Sequence, residues 1–439
     1  MTTRAGVNVI GYVSGNLGLG VIAREMVRLL EHRGHPVAVR DLDPGSGRGR
    51  TDLSLESRFV ASTKDLPHPI NLWIVAADSI LGIGRDICES PALRNRLNAV
   101  SIWWELPHIL PEWKTAAEAF DVFVAGSEFI KEVWANQVPG IPVVLARTPI
   151  DAGAGVVADR AGFGLPEDAF LVFTGFEPAS DPVRKNPFAA IDAFQRAFGP
   201  EARARLVIKL NNPGFDLGAK PMIERLEVMA ATDKRLIILK DRLSLDRLMA
   251  LYASCDLIVS LHRSEGLGLM PLEAMHLGKP VVATGWSGNM TYMDHANSCP
   301  VRVSFVDTDN TSVHYSPRAL GIRSFWAEPD VGHAAQLIRW LANDPAAYQR
   351  LSSRSRLAAL EYNRKAKEAS WVDEIMAVEE RRGLMPGKDH ATVAARIDAA
   401  LARKASRKAM AEGSLWGAMT KRASLELSRH VGWRFQRKL

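Results

Sequence analysis

An α/β fold with two consecutive doubly wound parallel sheets is predicted by three observations. Short apolar runs of strand length alternate with helical patterns through most of the chain. The alternation pauses in a Gly/Ala-rich stretch near Pro149–Leu165 and then begins again. The chain has 439 residues, which is too long for one compact core. Strands alternating with helices imply parallel sheets built from βαβ units.

The first set of strands reads VNVIGYVS, PVAVRDLD, INLWIVA, NAVSIWW, DVFVAG and IPVVLA, with helical patterns such as Val21–Arg33 and Phe129–Ala135 between them. The second reads AFLVFTG, ARLVIKL, RLIILKD, CDLIVSL and KPVVAT, separated by helices at Ala189–Phe198, Met222–Ala231, Leu245–Tyr252 and Pro271–Leu277. The expected division is residues 1–150, residues 151–382 including trailing helices, and a basic helical tail over 383–439. Two such units facing each other make one cleft, because ligands of these sheets bind beyond the carboxyl ends of the strands.

Composition narrows the function classes. The chain is 47% hydrophobic and 24% charged, as in ordinary globular proteins. Cys88, Cys255 and Cys299 share no metal-type spacing and are odd in number, which argues against a disulfide framework and a structural zinc site. A reducing, cytoplasmic setting is expected. The N-terminus does not read as a signal peptide, and the apolar stretch Ile70–Ile83 is too short to span a bilayer. The net charge of +6 is concentrated at one end: 14 Lys/Arg against 4 Asp/Glu from Arg381 to Leu439 give +10, leaving −4 for the rest. No nucleic-acid module accompanies that charge, so a nucleic acid is not an expected partner.

The segment carrying most chemical information is SLHRSEGLGLMPLEAMHLGKPVVATGWSGNMTYMD, from Ser260 to Asp294. A strand runs into a loop holding Glu265, Gly266 and Gly268, and a helix starts at Leu269 or Met270 and carries Glu273. Glycines let backbone N–H groups approach a ligand, and a helix N-terminus favours an anion. The segment thus offers an anion cradle and two carboxylates that accept hydroxyls, which are the two kinds of group a nucleotide sugar presents.

This segment resembles the E-x7-E motif of retaining GT-B glycosyltransferases, group 1, many of which build bacterial polysaccharides and lipopolysaccharides. Glu265 and Glu273 stand in its two positions, and AMHLGKPVVAT matches its continuation. The resemblance implies that Glu265 contacts donor-sugar hydroxyls near the reacting carbon and that Glu273 binds the ribose diol. It also implies that the N–H groups of Leu269 and Met270 meet the distal phosphate.

A second segment, FTGFEPASDPVRKNPFAAIDAF, is similar to the family's cationic loop. Lys185 fits the family's diphosphate-binding Lys. Many relatives place an Arg directly after the strand glycine, where this chain has Phe176; Arg184 is the candidate substitute. In RLIILKDRLSLDRL, the loop Lys240–Leu243, including Arg242 and Leu243, corresponds to the region where relatives hold the nucleobase. Gly15, Gly18 and Gly20 resemble the loop of the first unit that faces the donor phosphates, although tight strand–helix packing also explains them. In IWWELPHILPEW, Trp104 occupies the place of the family's His, while Glu105 keeps its neighbour and lines the expected site. His108 lies three residues on. Trp103, Trp104 and Trp113 read as packing residues.

The resemblance implies a retaining, metal-independent transfer of a sugar from a nucleoside-diphosphate sugar to a glycan or lipid-linked acceptor, with no cofactor. Catalytic roles fall to Glu265, Lys185 and Glu105, and donor contacts to Gly18, Arg184, Lys185, Arg242, Leu243, Glu265, Gly268, Leu269, Met270 and Glu273. The triplets Asp41–Asp43 and Asp307–Asp309 read as chance occurrences rather than metal sites. Two other readings use the same fold: a sugar-nucleotide epimerase, and a donor-binding scaffold without transfer activity. In the tail, Leu415, Met419, Ala423, Leu427 and Val431 recur every four residues as an apolar stripe flanked by basic residues. Such a helix either lies on an anionic membrane surface or packs on the protein.

Overall fold

The computed structural model describes residues 4–43, 50–150, 155–211, 219–309, 311–312, 314–382 and 387–406. The amphipathic stripe expected over 413–435 lies outside these residues. The first unit is a six-stranded sheet of β1 (Val7–Gly11), β2 (Val37–Asp41), β3 (Ile70–Ala76), β4 (Leu97–Trp103), β5 (Val122–Ala125) and β6 (Val143–Leu145). The strand order is β2-β1-β3-β4-β5-β6, parallel throughout. Its helices are α1 (Gly18–His32), α2 (Ile80–Glu89), α3 (Pro91–Arg94), α4 (Pro111–Ala117) and α5 (Glu128–Gln137). Every residue of β1 and of β5 is buried, as expected when helices cover both faces of a parallel sheet.

Three asparagines interrupt the apolar strands of this sheet. Asn8 pairs in register with Asn71, and Asn71 with Asn98. Their amides form a chain: Asn8 Nδ2 donates to Asn71 Oδ1 at 2.9 Å, and Asn71 Nδ2 donates to Asn98 Oδ1 at 3.0 Å. Asn98 Nδ2 donates to the carbonyls of Leu93 and Arg96, both at 3.0 Å. All three residues are buried. Any slip of register would strand these polar groups in an apolar layer, so the ladder pins the alignment of β1, β3 and β4.

The second unit repeats the design with β7 (Phe170–Phe176), β8 (Ala204–Leu210), β9 (Leu236–Leu239), β10 (Leu257–Ser260), β11 (Val281–Thr284) and β12 (Cys299–Val301). Their order is β12-β11-β10-β7-β8-β9, again parallel. Its helices are α6 (Pro182–Lys185), α7 (Pro187–Ala197), α8 (Lys220–Thr232), α9 (Leu245–Ser254) and α10 (Leu269–His276). An element the sequence reading did not anticipate follows. It is an antiparallel pair, β13 (Val303–Asp307) and β14 (Phe325–Pro329), with α11 (Pro317–Leu320) between the two strands.

After α12 (Val331–Asn343) and α13 (Pro345–Glu368), the chain turns at Ala369, whose φ of 50° marks the left-handed region. It then crosses back. Helix α14 (Ser370–Arg382) buries Trp371, Val372, Ile375 and Val378 in the core under α1 and the first sheet, although sequence continuity groups it with the second unit. Helix α15 (390–406) buries Val393, Ile397 and Ala400 against the opposite face of the same sheet, among residues of α2 and α4. The outward crossing is pinned beside the return: Asn363 of α13 accepts from the Ile150 N–H at 2.8 Å and donates to the Ile150 carbonyl at 2.7 Å.

Candidate functional site

In the second sheet the strand order reverses between β7 and β10, and this is where a doubly wound sheet opens a crevice beyond its strand ends. The loops leaving those two strands carry Arg184 and Lys185, and Glu265. The Lys185 ammonium and the Glu265 carboxylate form a hydrogen-bonded ion pair. Arg184 Nη1 donates to the other carboxylate oxygen at 3.2 Å. Burial alone would raise the Glu265 pKa, but Lys185 and Arg184 outweigh it and hold the group at about 2. Burial pulls the Lys185 ammonium below its ordinary range, with Glu265 opposing the shift.

Local structure explains why these side chains meet. Asp181, with φ of 66°, caps α6 by accepting from the N–H groups of Val183 (3.0 Å) and Arg184 (3.1 Å). Its second oxygen accepts from Ser312 Oγ at 2.6 Å and from the His314 N–H at 3.1 Å. Arg184 is 3% exposed, and its guanidinium donates to the carbonyls of Ser264 (2.7 Å) and Ser180 (3.0 Å). Lys185, with 20% of its side chain exposed, is the more accessible cation. Phe176, in the place where an Arg was sought, is buried in the apolar core.

The Glu265 main chain is held on both sides. Its N–H donates to Ser287 Oγ at 2.8 Å, and its carbonyl accepts from the Gly288 N–H at 2.9 Å. A Cβ on Gly288 would fall 2.0 Å from the Gly266 carbonyl oxygen, so only glycine fits there. Gly268, with φ of 83°, turns the chain into α10, whose first residues are Leu269 and Met270. Glu273 lies one turn further on and is buried. Burial raises its carboxyl to about 7, against the lowering effect of a hydrogen bond from Tyr252.

The first unit contributes to the same place. Glu105, just beyond β4, lies with Oε1 4.0 Å from Arg184 Nη2, and its Oε2 accepts from the Tyr315 hydroxyl at 2.6 Å. Its backbone carbonyl accepts from the Ser264 hydroxyl. Arg184 also lies over the Tyr315 ring, 5.6 Å from its centre. A Cβ on Gly18 would lie 3.6 Å from Leu269 Cδ1, so the glycine loop sits against the first turn of α10. Asn16 in that loop, with its amide oxygen turned to the guanidinium, accepts from Arg242 at 3.1 and 3.2 Å. Gly20 has a packing role, since a Cβ there would fall 2.3 Å from the Gly15 carbonyl.

The structure therefore gathers Glu105, Arg184, Lys185 and Glu265 into one cluster. Gly18 and Gly268–Met270 line up beside it, and Glu273 is one helical turn away. Arg242 and Leu243 lie in the loop after β9; Arg242 is exposed and Leu243 packs partly on the core. Trp104 is a packing residue: its ring meets Trp113 edge-on at 4.7 Å and its Nε1 donates to the His108 carbonyl at 2.9 Å. His108 pairs with Ser324 Oγ at 3.1 Å. Asp41 is engaged by Ser14 and Arg50, and Asp309 caps its own turn at Thr311. Asp181, Ser287 and Tyr315 were not singled out in the sequence. Asp181–Pro182 was readable as a helix start, whereas Tyr315 reaches Glu105 from 210 residues away without a local signal.

Residues 183–309 match the sequence model of the family Glycosyl transferases group 1. The chain is 32% identical over 132 residues to D-inositol 3-phosphate glycosyltransferase of Mycolicibacterium smegmatis, a match covering 30% of this chain and 28% of that protein. The chain therefore matches well under a third of the length of this curated relative. Among solved structures, the fold resembles HepE of Anabaena, crystallised with UDP and glucose (TM-score 0.56, 16% identity, 84% of this chain and 100% of that one). It also resembles sucrose-phosphate synthase of Thermosynechococcus elongatus (TM-score 0.60, 16% identity, 85% and 100%). A third similar structure is a UDP-forming trehalose-phosphate synthase of Burkholderia xenovorans (TM-score 0.60, 13% identity, 86% and 100%). These likenesses identify the fold as GT-B: two Rossmann-like units facing across a cleft.

Proposed function

We propose, proceeding from the group 1 glycosyltransferase segment at residues 183–309, that this protein transfers a sugar from a nucleoside-diphosphate sugar to a glycan or lipid-linked acceptor, with retention at the anomeric carbon. The observation that carries the proposal is the ion-paired cluster of Glu265, Lys185 and Arg184 at the switch point, with Glu273 on the helix that starts four residues after Glu265.

The chemistry follows from placement. The donor diphosphate meets the Lys185 ammonium and the N–H groups of Leu269 and Met270, where cationic and dipolar groups stabilise the charge that develops on departure. The bond from the anomeric carbon to the phosphate oxygen breaks, and its electron pair stays with the diphosphate. The acceptor hydroxyl forms the new bond on the same face and gives its proton to the leaving phosphate. Glu265, kept ionised by its two cations, accepts hydrogen bonds from donor-sugar hydroxyls and stabilises positive charge near the anomeric carbon. Arg184, buried on backbone carbonyls, positions Glu265. Glu273 accepts the ribose hydroxyls, and the loop after β9 borders the base. The reaction needs no divalent metal in this scheme, because the leaving charge is met by protein groups. A bacterial surface-polysaccharide or lipopolysaccharide acceptor is the class the resemblance suggests.

A thermal-shift screen of UDP-, GDP- and ADP-sugars tests the proposal, since a ligand that binds only the folded state raises Tm. Stabilisation by one nucleotide series, lost in Lys185→Ala, supports it. No stabilisation by any of them rejects it.

A further inference from the structure

A concavity of about 550 Å³ is lined by residues of both units. Its volume falls within the roughly 300–1,000 Å³ usual for small-molecule sites. One wall comes from α5 and the loop after β4, the other from the loop after β11 and the β13–β14 pair. The lining includes His108, Phe129, Glu132, Trp286, Phe305 and Phe325. Trp286 is the hub: its ring meets Phe129 at 5.2 Å, Phe305 at 5.5 Å and Phe325 at 6.2 Å. The Phe325 ring in turn meets His108 edge-on at 5.5 Å. Phe305 is 56% exposed, a cost that packing does not explain.

We propose that this aromatic pocket binds a pyranose ring of the acceptor, so that the acceptor is recognised as a glycan. The inference rests on the transferase reading above and adds the acceptor's chemical class and its place. Two observations carry it. First, the pocket is joined to the cluster through the chain itself. Trp286 immediately precedes Ser287, whose hydroxyl accepts from the Glu265 N–H, and His108 follows Glu105 by three residues. Second, the wall is mixed. Aromatic faces suit the apolar C–H face of a pyranose, while the exposed Glu132 and Asn136 on α5 offer acceptors and a donor to its hydroxyls. A prenyl chain in the same place would desolvate Glu132 and Asn136 without hydrogen bonds, which is unfavourable. The β13–β14 pair that supplies Phe305 and Phe325 lies outside both parallel sheets, so this wall is an addition to the two-unit fold.

The test uses the full chain saturated with the nucleoside diphosphate whose sugars raise Tm in the screen above, taken here as UDP. Binding of disaccharides containing glucose, mannose, galactose or N-acetylglucosamine is followed by tryptophan fluorescence and by ligand-observed NMR, with a polyprenyl phosphate in detergent as the opposing probe. The expected result is millimolar binding of at least one disaccharide, weakened at least about tenfold in both Phe305→Ala and Glu132→Ala, a loss of about 1.4 kcal/mol. UDP affinity should be unchanged in both variants, because neither residue touches the donor cluster. Binding of no disaccharide, disaccharide binding indifferent to both substitutions, or binding of the polyprenyl phosphate alone in a Phe305-dependent way overturns the proposal. UDP binding is read in the same samples, so a failed donor site is told apart from a failed acceptor pocket.

Discussion

Arg184 and Glu265 lie 3.2 Å apart although 81 residues separate them, and among the described residues the next acidic partner of the guanidinium, Glu105, is 4.0 Å away. Together with the stronger pull of Lys185, the contact keeps the largely buried Glu265 ionised. Its carboxyl is held at about 2, so ionisation of Glu265 should not shape activity above about pH 4. Glu265→Gln should lower kcat by about 100-fold or more, the scale of removing a group that stabilises developing charge. Steady-state rates from pH 5 to 9 check both points. An acid limb near neutrality that vanishes in Glu265→Gln would reject the assignment.

Lys185→Ala should reduce kcat by a similar factor of about 100 or more, because the departing diphosphate loses its most accessible cation. Lys185→Arg should recover part of the loss, since charge is kept while geometry changes. A turnover of the Ala variant within a factor of two of the parent would exclude Lys185 from the reaction.

Glu273 makes a prediction of the opposite sign. Its carboxyl stands at about 7 in the folded protein, above the ordinary value of 4.5. The folded state therefore binds more protons between these values, and stability falls as pH rises from about 4.5 to about 7. Glu273→Gln should be more stable than the parent at pH 8 by about 1–3 kcal/mol and nearly equal to it at pH 4. The same variant should bind donor more weakly, by about 1–3 kcal/mol, because the ribose diol loses a charged acceptor. Denaturation at the two pH values and donor calorimetry check this. A variant less stable at pH 8 would show that the carboxylate is not paying a burial cost.

Asn71 sits in the middle of the amide ladder, so Asn71→Ala leaves one Asn8 Nδ2 N–H without its acceptor while the other keeps the His68 carbonyl, and leaves Asn98 Oδ1 with Trp73 Nε1 as its donor. One buried unsatisfied N–H costs about 1–3 kcal/mol, and a loss of that size is expected in urea denaturation. A loss under half a kcal/mol (about 0.5) would mean that water replaces the amide.

In the proposed scheme Lys185 and the start of α10 meet the leaving charge, so activity should survive excess EDTA. Abolition with rescue by Mg²⁺ or Mn²⁺ would reopen the aspartate triplets.

Much of the candidate site was legible because its determinants are local. Glu265 and Glu273 are set by spacing on one loop and one helix, and Gly268 by the turn that joins them. Apolar runs bounded by turn residues revealed both sheets for the same reason, except for the three-residue edge strand β12, which is too short to show a pattern. What stayed hidden depends on distant partners. Tyr315 and Ser312 reach Glu105 and Asp181 from the far side of β13, and nothing near them in the chain marks that encounter. The asparagine ladder has no local signal, because only strand register aligns Asn8, Asn71 and Asn98. The docking of α14 was illegible because an amphipathic helix declares that it has an apolar face, not which surface receives it.

That docking has a consequence for how the protein is made. Synthesis runs from the N-terminus, and the first sheet emerges long before Trp371, Val372 and Ile375 exist to cover one of its layers. Val393 and Ile397, which close the other layer, arrive later still. The nascent first unit must wait with apolar surface uncovered while the whole second unit is translated, so the earliest part of the protein is the last to be completed.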